Sequence, residues 1–121
     1  MRTFVFTLAA AIALAGAAAA HPATEQYIPI GQSPGGTTVQ GTAYATAEPA
    51  TAGGPASVSV DVAGDYQNYV IGPRTRIYVD RSAQGQPSTL GTVEDLQAGR
   101  VVEVRLADAE TRVAAWIKVR P

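Results

Sequence analysis

The chain contains no cysteine and a single histidine, and these two scarcities exclude most familiar catalytic and metal-binding sites. Without cysteine there is no disulfide to support the fold and no thiolate to bind zinc or act as a nucleophile. Any Ser-His-Asp system would need His21 as its base, beside Pro22 in a flexible segment. Chelation of copper by a terminal histidine requires a second histidine, which is absent. We therefore predict a protein that is not an enzyme and uses no metal or other cofactor.

A strong excess of either charge is also absent. Nine basic and ten acidic side chains give a net charge of −1, which is too balanced to indicate a nucleic-acid partner. Apart from Arg2, every basic residue follows Pro73, and all of these but Lys118 are arginine. The pattern favours a salt-bridged surface on the second half of a sheet.

Paired carboxylates, which glycoside hydrolysis would need, occur only as neighbours in predicted turns. These pairs are Asp61 with Asp65, Glu94 with Asp95, and Asp108 with Glu110. There is also no glycine-rich phosphate loop before a helix. The acidic pairs are therefore interpreted as ordinary loop residues.

Residues 1–20 are typical of a secretory signal peptide. Arg2 supplies the positive start, an apolar run follows from Phe4 to Leu14, and alanines 18–20 supply the cleavage site. The run is shorter than the ~20 residues that a membrane-spanning helix needs, so no membrane span is predicted. Cleavage would leave His21 first in a periplasmic or secreted chain.

The remaining sequence divides into an arm and one domain. Residues 21–36 are rich in proline and glycine and predict an extended arm. Residues 37–121 predict a single small domain, with a mobile low-complexity loop at 45–56. No later segment has the apolar period of a helix.

Alternating apolar residues predict short β-strands throughout the domain. The predicted strands are 39–44, 57–62, 66–71, 76–80, 101–106 and 113–120. So many short strands favour a small five- to six-stranded antiparallel barrel, similar to oligonucleotide/oligosaccharide-binding (OB) barrels, because closure removes exposed sheet edges. A small β-sandwich is the alternative.

The last two strands also predict their own pairing. If Leu106 opposes Val113, then Val104 opposes Ala115 and every apolar side chain meets another apolar one. Slips of two residues remain open. Leu96 is expected to close one end of the barrel, with Gly99 supplying a positive φ after it.

Four segments resemble a family of small β-barrel domains in exported bacterial proteins. They are GPRTRI (72–77), DLQAGRVVEV (95–104), AAWIKV (114–119) and the arm segment YIPIGQSPG (27–35). The family has no assigned activity, so the resemblance implies a barrel fold and export but no site residue.

One surface remains as a candidate site. The predicted register places Trp116 on the face opposite the aliphatic residues, beside Glu103, with Arg105 and Lys118 nearby. Arg76 and Tyr78 are expected to point outward on a neighbouring strand. Aromatic and arginine side chains together can bind sugars, bases or peptides. The alternative is that the arm covers Trp116, with Tyr27 and Ile28 against it.

These patterns predict a binding or interaction module of the bacterial envelope. Its predicted binding residues are Arg76, Tyr78, Arg105, Trp116 and Lys118, and its partner would be an envelope protein, a peptide or a glycan. The alternative is a structural or accessory envelope protein that docks a partner through its arm. The expected oligomeric state is a monomer or a weak oligomer.

Overall fold

The computed structural model describes residues 25–34, 38–49 and 52–121, which form an all-β fold. Its strands are β1 (Thr38–Ala47), β2 (Ala56–Val62), β3 (Asp65–Ile71), β4 (Arg76–Val79), β5 (Thr89–Leu90), β6 (Val101–Asp108) and β7 (Val113–Val119). Short 3-10 turns at Ser82–Gln84 and Val93–Asp95 flank β5. The predicted signal peptide and His21 lie outside the described residues.

Five of the strands close into a barrel, which confirms the predicted small barrel. The order around it is β1, β2, β3, β7 and β6, with β6 pairing back to β1. Closure depends on a bridge between Val70 on β3 and Val113 on β7. β4 and β5 extend the sheet outward from β7. Two pairings differ from the predicted antiparallel arrangement, because β3 and β4 both run parallel to β7.

Strand alternation places an aliphatic core inside the barrel, as predicted. Ile77 and Val79 point inward from β4, and the 3-10 turn before β6 contributes Leu96, which is 2% exposed. The other buried core residues are Ala43, Val58, Val60, Tyr69, Val102, Val104, Ala114, Ile117 and Val119. The aromatic and charged side chains of β4, β6 and β7 lie on the opposite face of these strands, which points away from the core.

The β6–β7 hairpin departs from the predicted register. The observed partners include Val102↔Val119, Val104↔Ile117 and Leu106↔Ala114. At Val102 and Val104 the pairing is shifted by two residues from the supposed one, a slip that the sequence had left open, and apolar residues still face apolar ones. The pairing is irregular on both sides of Leu106, and such bulges change which side chains face the core. Ala114 therefore joins the core, and Trp116 lies opposite Arg105 instead of Glu103.

The arm is not extended over its described part, residues 25–34, which we call the docked arm. It makes two turns, closed by hydrogen bonds from the Ile28 N–H to the Glu25 carbonyl (3.3 Å) and from the Gln32 N–H to the Pro29 carbonyl (3.1 Å). Hydrogen bonds to Asp80, Glu103 and Lys118 hold it on the barrel surface. In the described ranges, no helix has the length and apolar character needed to cross a membrane.

Candidate functional site

Two rows of side chains cross the outer side of β4, β7 and β6. Cross-strand pairing aligns Arg76 with Trp116 and Trp116 with Arg105 in the first row. It aligns Tyr78 with Lys118 and Lys118 with Glu103 in the second row. We call these six residues the outer face. The structure thus brings all five predicted binding residues together and adds Glu103 to them.

Most of the outer face is buried although it lies outside the barrel core. Trp116 is 2% exposed, Lys118 0% and Glu103 2%. Arg105 is half-buried, and Arg76 stays exposed at the edge. Burying an ammonium and a carboxylate is costly unless each finds a partner, so these groups indicate what the covering segment must provide.

The covering segment is the docked arm, and it meets the charged groups mainly with its main chain. Asp80, which follows β4, accepts a hydrogen bond from the Ile30 N–H (3.0 Å). Glu103 accepts one from the Gly31 N–H (3.2 Å). Lys118 donates to the Ile28 carbonyl (2.5 Å), and Arg105 donates to the Pro34 carbonyl (3.4 Å). Two carboxylates thus bind two N–H groups, and two cations bind two carbonyls.

Additional contacts fix the two ends of this arrangement. The Gln26 main chain accepts a hydrogen bond from the Ser88 N–H (2.8 Å), and the Tyr78 hydroxyl lies 3.3 Å from the Glu25 carboxylate. The Thr38 hydroxyl donates to the second oxygen of Glu103 (2.7 Å). Ile30 is the buried apolar residue of the docked arm, 5% exposed.

The pKa shifts on this surface have clear physical causes. Burial lowers the pKa of Lys118, and the carboxylates of Glu103, Glu25 and Asp80 oppose that shift without cancelling it. For Asp80, burial acts to raise the pKa. The hydrogen bonds from the Ile30 and Ser82 N–H groups outweigh it and hold the pKa below its ordinary value.

The pKa of Tyr78 is raised, chiefly by burial. A hydrogen bond with Arg76 opposes the shift, while the Glu25 charge adds to it. The phenol therefore stays protonated and able to donate at neutral pH.

One corner of the outer face is incompletely satisfied. The Trp116 indole N–H, the Arg105 Nε and the Ser33 hydroxyl are each buried without a hydrogen-bond partner. Leaving a buried polar group unpaired costs about 1–3 kcal/mol. The same residues line a cavity of about 300 Å³ between the docked arm and the barrel, together with Glu25, Ile28, Pro34 and Lys118. The Lys118 Nζ lies 4.7 Å from the centre of the Trp116 ring.

The structure decides between the two sequence-based interpretations of Trp116. The indole is covered by the arm, with Ile28, Ser33 and Pro34 beside it in the cavity wall. Tyr27 does not cover it, because that side chain is 68% exposed. Asp80 and Glu103, whose carboxylates bind the main chain of the docked arm, were not among the predicted site residues. Their parity was the available signal, since Asp80 shares its face with Tyr78, two residues before it, and Glu103 lies between two core valines.

The predicted turn carboxylates serve their own loops. The Asp61 carboxylate accepts a hydrogen bond from the Gly64 N–H (2.9 Å), and that of Asp108 accepts one from the Glu110 N–H (2.9 Å). Asp95 accepts one from the Thr92 N–H (2.8 Å). Among the described residues, no group of three or more histidine, aspartate or glutamate side chains could hold a metal ion.

A second, more apolar groove of about 490 Å³ lies at one end of the barrel. Its walls are the loop before β2 and the residues after β3, including Pro55, Ile71 and Pro73. It brings together none of the predicted site residues, so the outer face is the better candidate. No protein-family model, curated protein or solved structure matches this chain.

Proposed function

We propose that this chain is an exported, non-enzymatic binding module of the bacterial envelope, and that its outer face recognises the main chain of a peptide segment. The observation that carries the proposal is the set of four hydrogen bonds from Asp80, Glu103, Lys118 and Arg105 to main-chain atoms of the docked arm. In this proposal the docked arm occupies a site that also accepts a partner.

The chemistry of the face supports a peptide over a glycan. Acceptors and donors sit where N–H groups and carbonyls alternate along a chain, and each is charged, which strengthens its hydrogen bond. A sugar presents hydroxyl groups instead of this alternation of N–H groups and carbonyls, so it matches the four contacts less well. Peptide recognition through the main chain tolerates varied sequences, which suits an interaction module.

The proposal also takes the chain to be periplasmic or secreted and the closed part of the barrel to be OB-like. OB barrels usually bind through their second and third strands and the adjoining loops. The outer face instead lies on β4, β6 and β7, so the proposed function depends on the contacts and not on fold analogy.

Fluorescence of Trp116, the only tryptophan in the chain, tests the proposal. We expect peptides to change its emission at up to millimolar concentration, because a tethered arm competes at about that effective concentration. Glu103→Gln removes the charged acceptor for a peptide N–H and should weaken binding roughly tenfold, when it and its control are compared in a chain that carries Ile30→Asp so that the arm no longer competes.

Glu94→Gln is the matched control, since Glu94 is an exposed residue of a 3-10 turn. It should bind peptides like the unaltered chain. Emission that responds to envelope glycans but to no peptide would contradict peptide recognition. Equal peptide affinity of the two variants would contradict the role of the outer face.

A second candidate function is an accessory protein that docks a partner through the arm. Tyr27 favours it, because this aromatic side chain is presented to solvent from the docked arm. Tyr27→Ala should abolish partner capture under this function. The same variant should leave peptide binding at the outer face unchanged.

A further inference from the structure

Arg105 uses only one of the two N–H groups, Nε and Nη2, on one edge of its guanidinium. Its Nη2 donates to the Pro34 carbonyl at 3.4 Å, which is a long contact, while its Nε is buried and has no partner. These two groups lie side by side on the planar guanidinium, and a carboxylate accepts from both at once. A single carbonyl oxygen does not fill that edge.

Trp116, in the same row, adds a second donor with no acceptor. Its indole nitrogen is buried without a partner, and an indole N–H can only donate. The docked arm brings two groups to this corner of the cavity: the Pro34 carbonyl and the Ser33 hydroxyl, which is itself unpartnered. Arg105 and Trp116 thus line one cavity with three N–H donors, two of them unpartnered, where the arm provides too few acceptors.

The charge of the cavity wall also favours a carboxylate. Arg105 and Lys118 are cationic, Glu25 is the only carboxylate in the wall, and the Tyr78 hydroxyl lies 3.3 Å from it. Arg76 stands at the far end of the row that holds Trp116 and Arg105. An added negative charge would therefore be attracted to this corner.

We propose that this corner is a carboxylate-binding subsite for a peptide partner. The partner's carboxylate takes the place of the Pro34 carbonyl and accepts hydrogen bonds from the Arg105 Nε and Nη2 and from the Trp116 indole N–H. Two of the three donors, the Arg105 Nε and the Trp116 indole N–H, are closed off from water in the docked state, so Ser33 and Pro34 move aside when the partner binds. The inference rests on the proposed function, because the remainder of the face holds the partner's main chain.

A peptide with the sequence of residues 25–34 provides a direct test. Made as a free acid, it places a carboxylate where Pro34 now presents its carbonyl; made as a C-terminal amide, it differs only in that charge. Each form is titrated into the ¹⁵N-labelled Ile30→Ala chain, whose own arm is weakened. The single indole N–H resonance reports binding.

We expect the free acid to bind at least about tenfold more tightly than the amide and to shift the indole resonance in a saturable way. Arg105→Lys keeps the charge but removes the two-pronged donor, so it should reduce the preference for the acid nearly to one. Arg74→Lys, at an exposed position outside the face, should retain the full preference.

The outcomes separate the two proposals. Equal binding of acid and amide would overturn the carboxylate subsite while supporting recognition of the main chain. Binding of neither form would overturn both. An unchanged acid preference in Arg105→Lys would show that the carboxylate binds elsewhere and would overturn the subsite.

Discussion

Asp80 joins three separate parts of the chain through its carboxylate and its main-chain N–H. It accepts hydrogen bonds from the Ile30 N–H of the docked arm and from the Ser82 N–H of the first 3-10 turn (2.8 Å). Its own N–H donates to the Val119 carbonyl on β7 (2.8 Å). The residue is only 3% exposed, so water cannot replace these contacts when they are lost.

The depressed pKa of Asp80 gives a prediction with a definite sign. The folded chain binds the Asp80 proton less tightly than the unfolded chain, so the carboxylate stabilises the fold at neutral pH. That contribution should be lost as the pH falls from about 3.8, the ordinary value, through the lower folded pKa. Asp80→Asn should cost about 1–3 kcal/mol at pH 7, because an amide replaces a carboxylate that accepts two N–H bonds.

Denaturant unfolding at a series of acidic pH values measures this difference. The gap between Asp80→Asn and the unaltered chain should narrow as Asp80 becomes protonated. Asp65→Asn, at an exposed position on β3, is the control and should show little difference at any pH. A gap that stays constant down to the acid limit would refute a stabilising Asp80 charge.

At the scale of elements, the 3-10 turn before β6 places a residue in the core, although most core residues lie on strands. Leu96 follows the turn and is 2% exposed in the core cluster, and Gly99 then adopts a φ of 92°. The turn is capped at Thr92, whose N–H donates to the Asp95 carboxylate. This short element therefore closes the core between β5 and β6.

Leu96→Ala should destabilise the fold by about 2–5 kcal/mol, since it leaves a cavity in a packed core. Leu90→Ala is the matched control: Leu90 on β5 is 71% exposed, so its loss should cost within about 0.5 kcal/mol. Chemical denaturation of both variants measures the two costs. Similar values would mean that Leu96 does not contribute to the core as its burial indicates.

The sequence was informative where alternation is strict and one face is buried. Alternation alone predicts that Ile77 and Val79 point inward, and the spacing of Leu96 and Gly99 predicts a turn. Both signals lie within a few neighbouring residues. The register of β6 and β7 was predicted only to within slips of two residues, because the alternation of β6 gives no sign of the bulges around Leu106. β5 was missed because two residues are too few to show a period.

The candidate site was only partly predictable, because its main-chain contacts leave no local signal in the sequence. Strand parity placed Trp116 and Lys118 on one face, but nothing local indicates that the main chain of residues 28–34 covers them. Such contacts join residues up to 90 positions apart and use main-chain atoms, which every residue type offers. The prolines and glycines predict an extended arm, and cover of Trp116 by that arm is offered by the sequence only as an alternative, with the side chains of Tyr27 and Ile28 in place of the main chain.

At the scale of the whole molecule, the docked arm converts an exposed sheet face into a second buried layer. Trp116 should therefore be shielded from a soluble quencher such as acrylamide. Ile30→Asp places a charge at the buried apolar residue of the arm, and we expect it to release the arm and raise quenching several-fold. The measurement is the quenching constant of the single tryptophan.

Tyr27→Ala supplies the control on the same segment, because Tyr27 points into solvent. Quenching in this variant should match the unaltered chain. Far-ultraviolet circular dichroism should be preserved in both variants, since the barrel keeps its own core. Strong quenching of Trp116 in the unaltered chain would contradict a stably docked arm.

The position of β7 has a consequence for how the molecule assembles. β7 pairs with β3, β4 and β6, yet it is the last of the strands to be synthesised. Earlier strands can form local hairpins, but they cannot close into a barrel until β7 inserts between them. The earlier strands should therefore stay open and pliable until β7 joins them, and the barrel should acquire its compact form in one cooperative step.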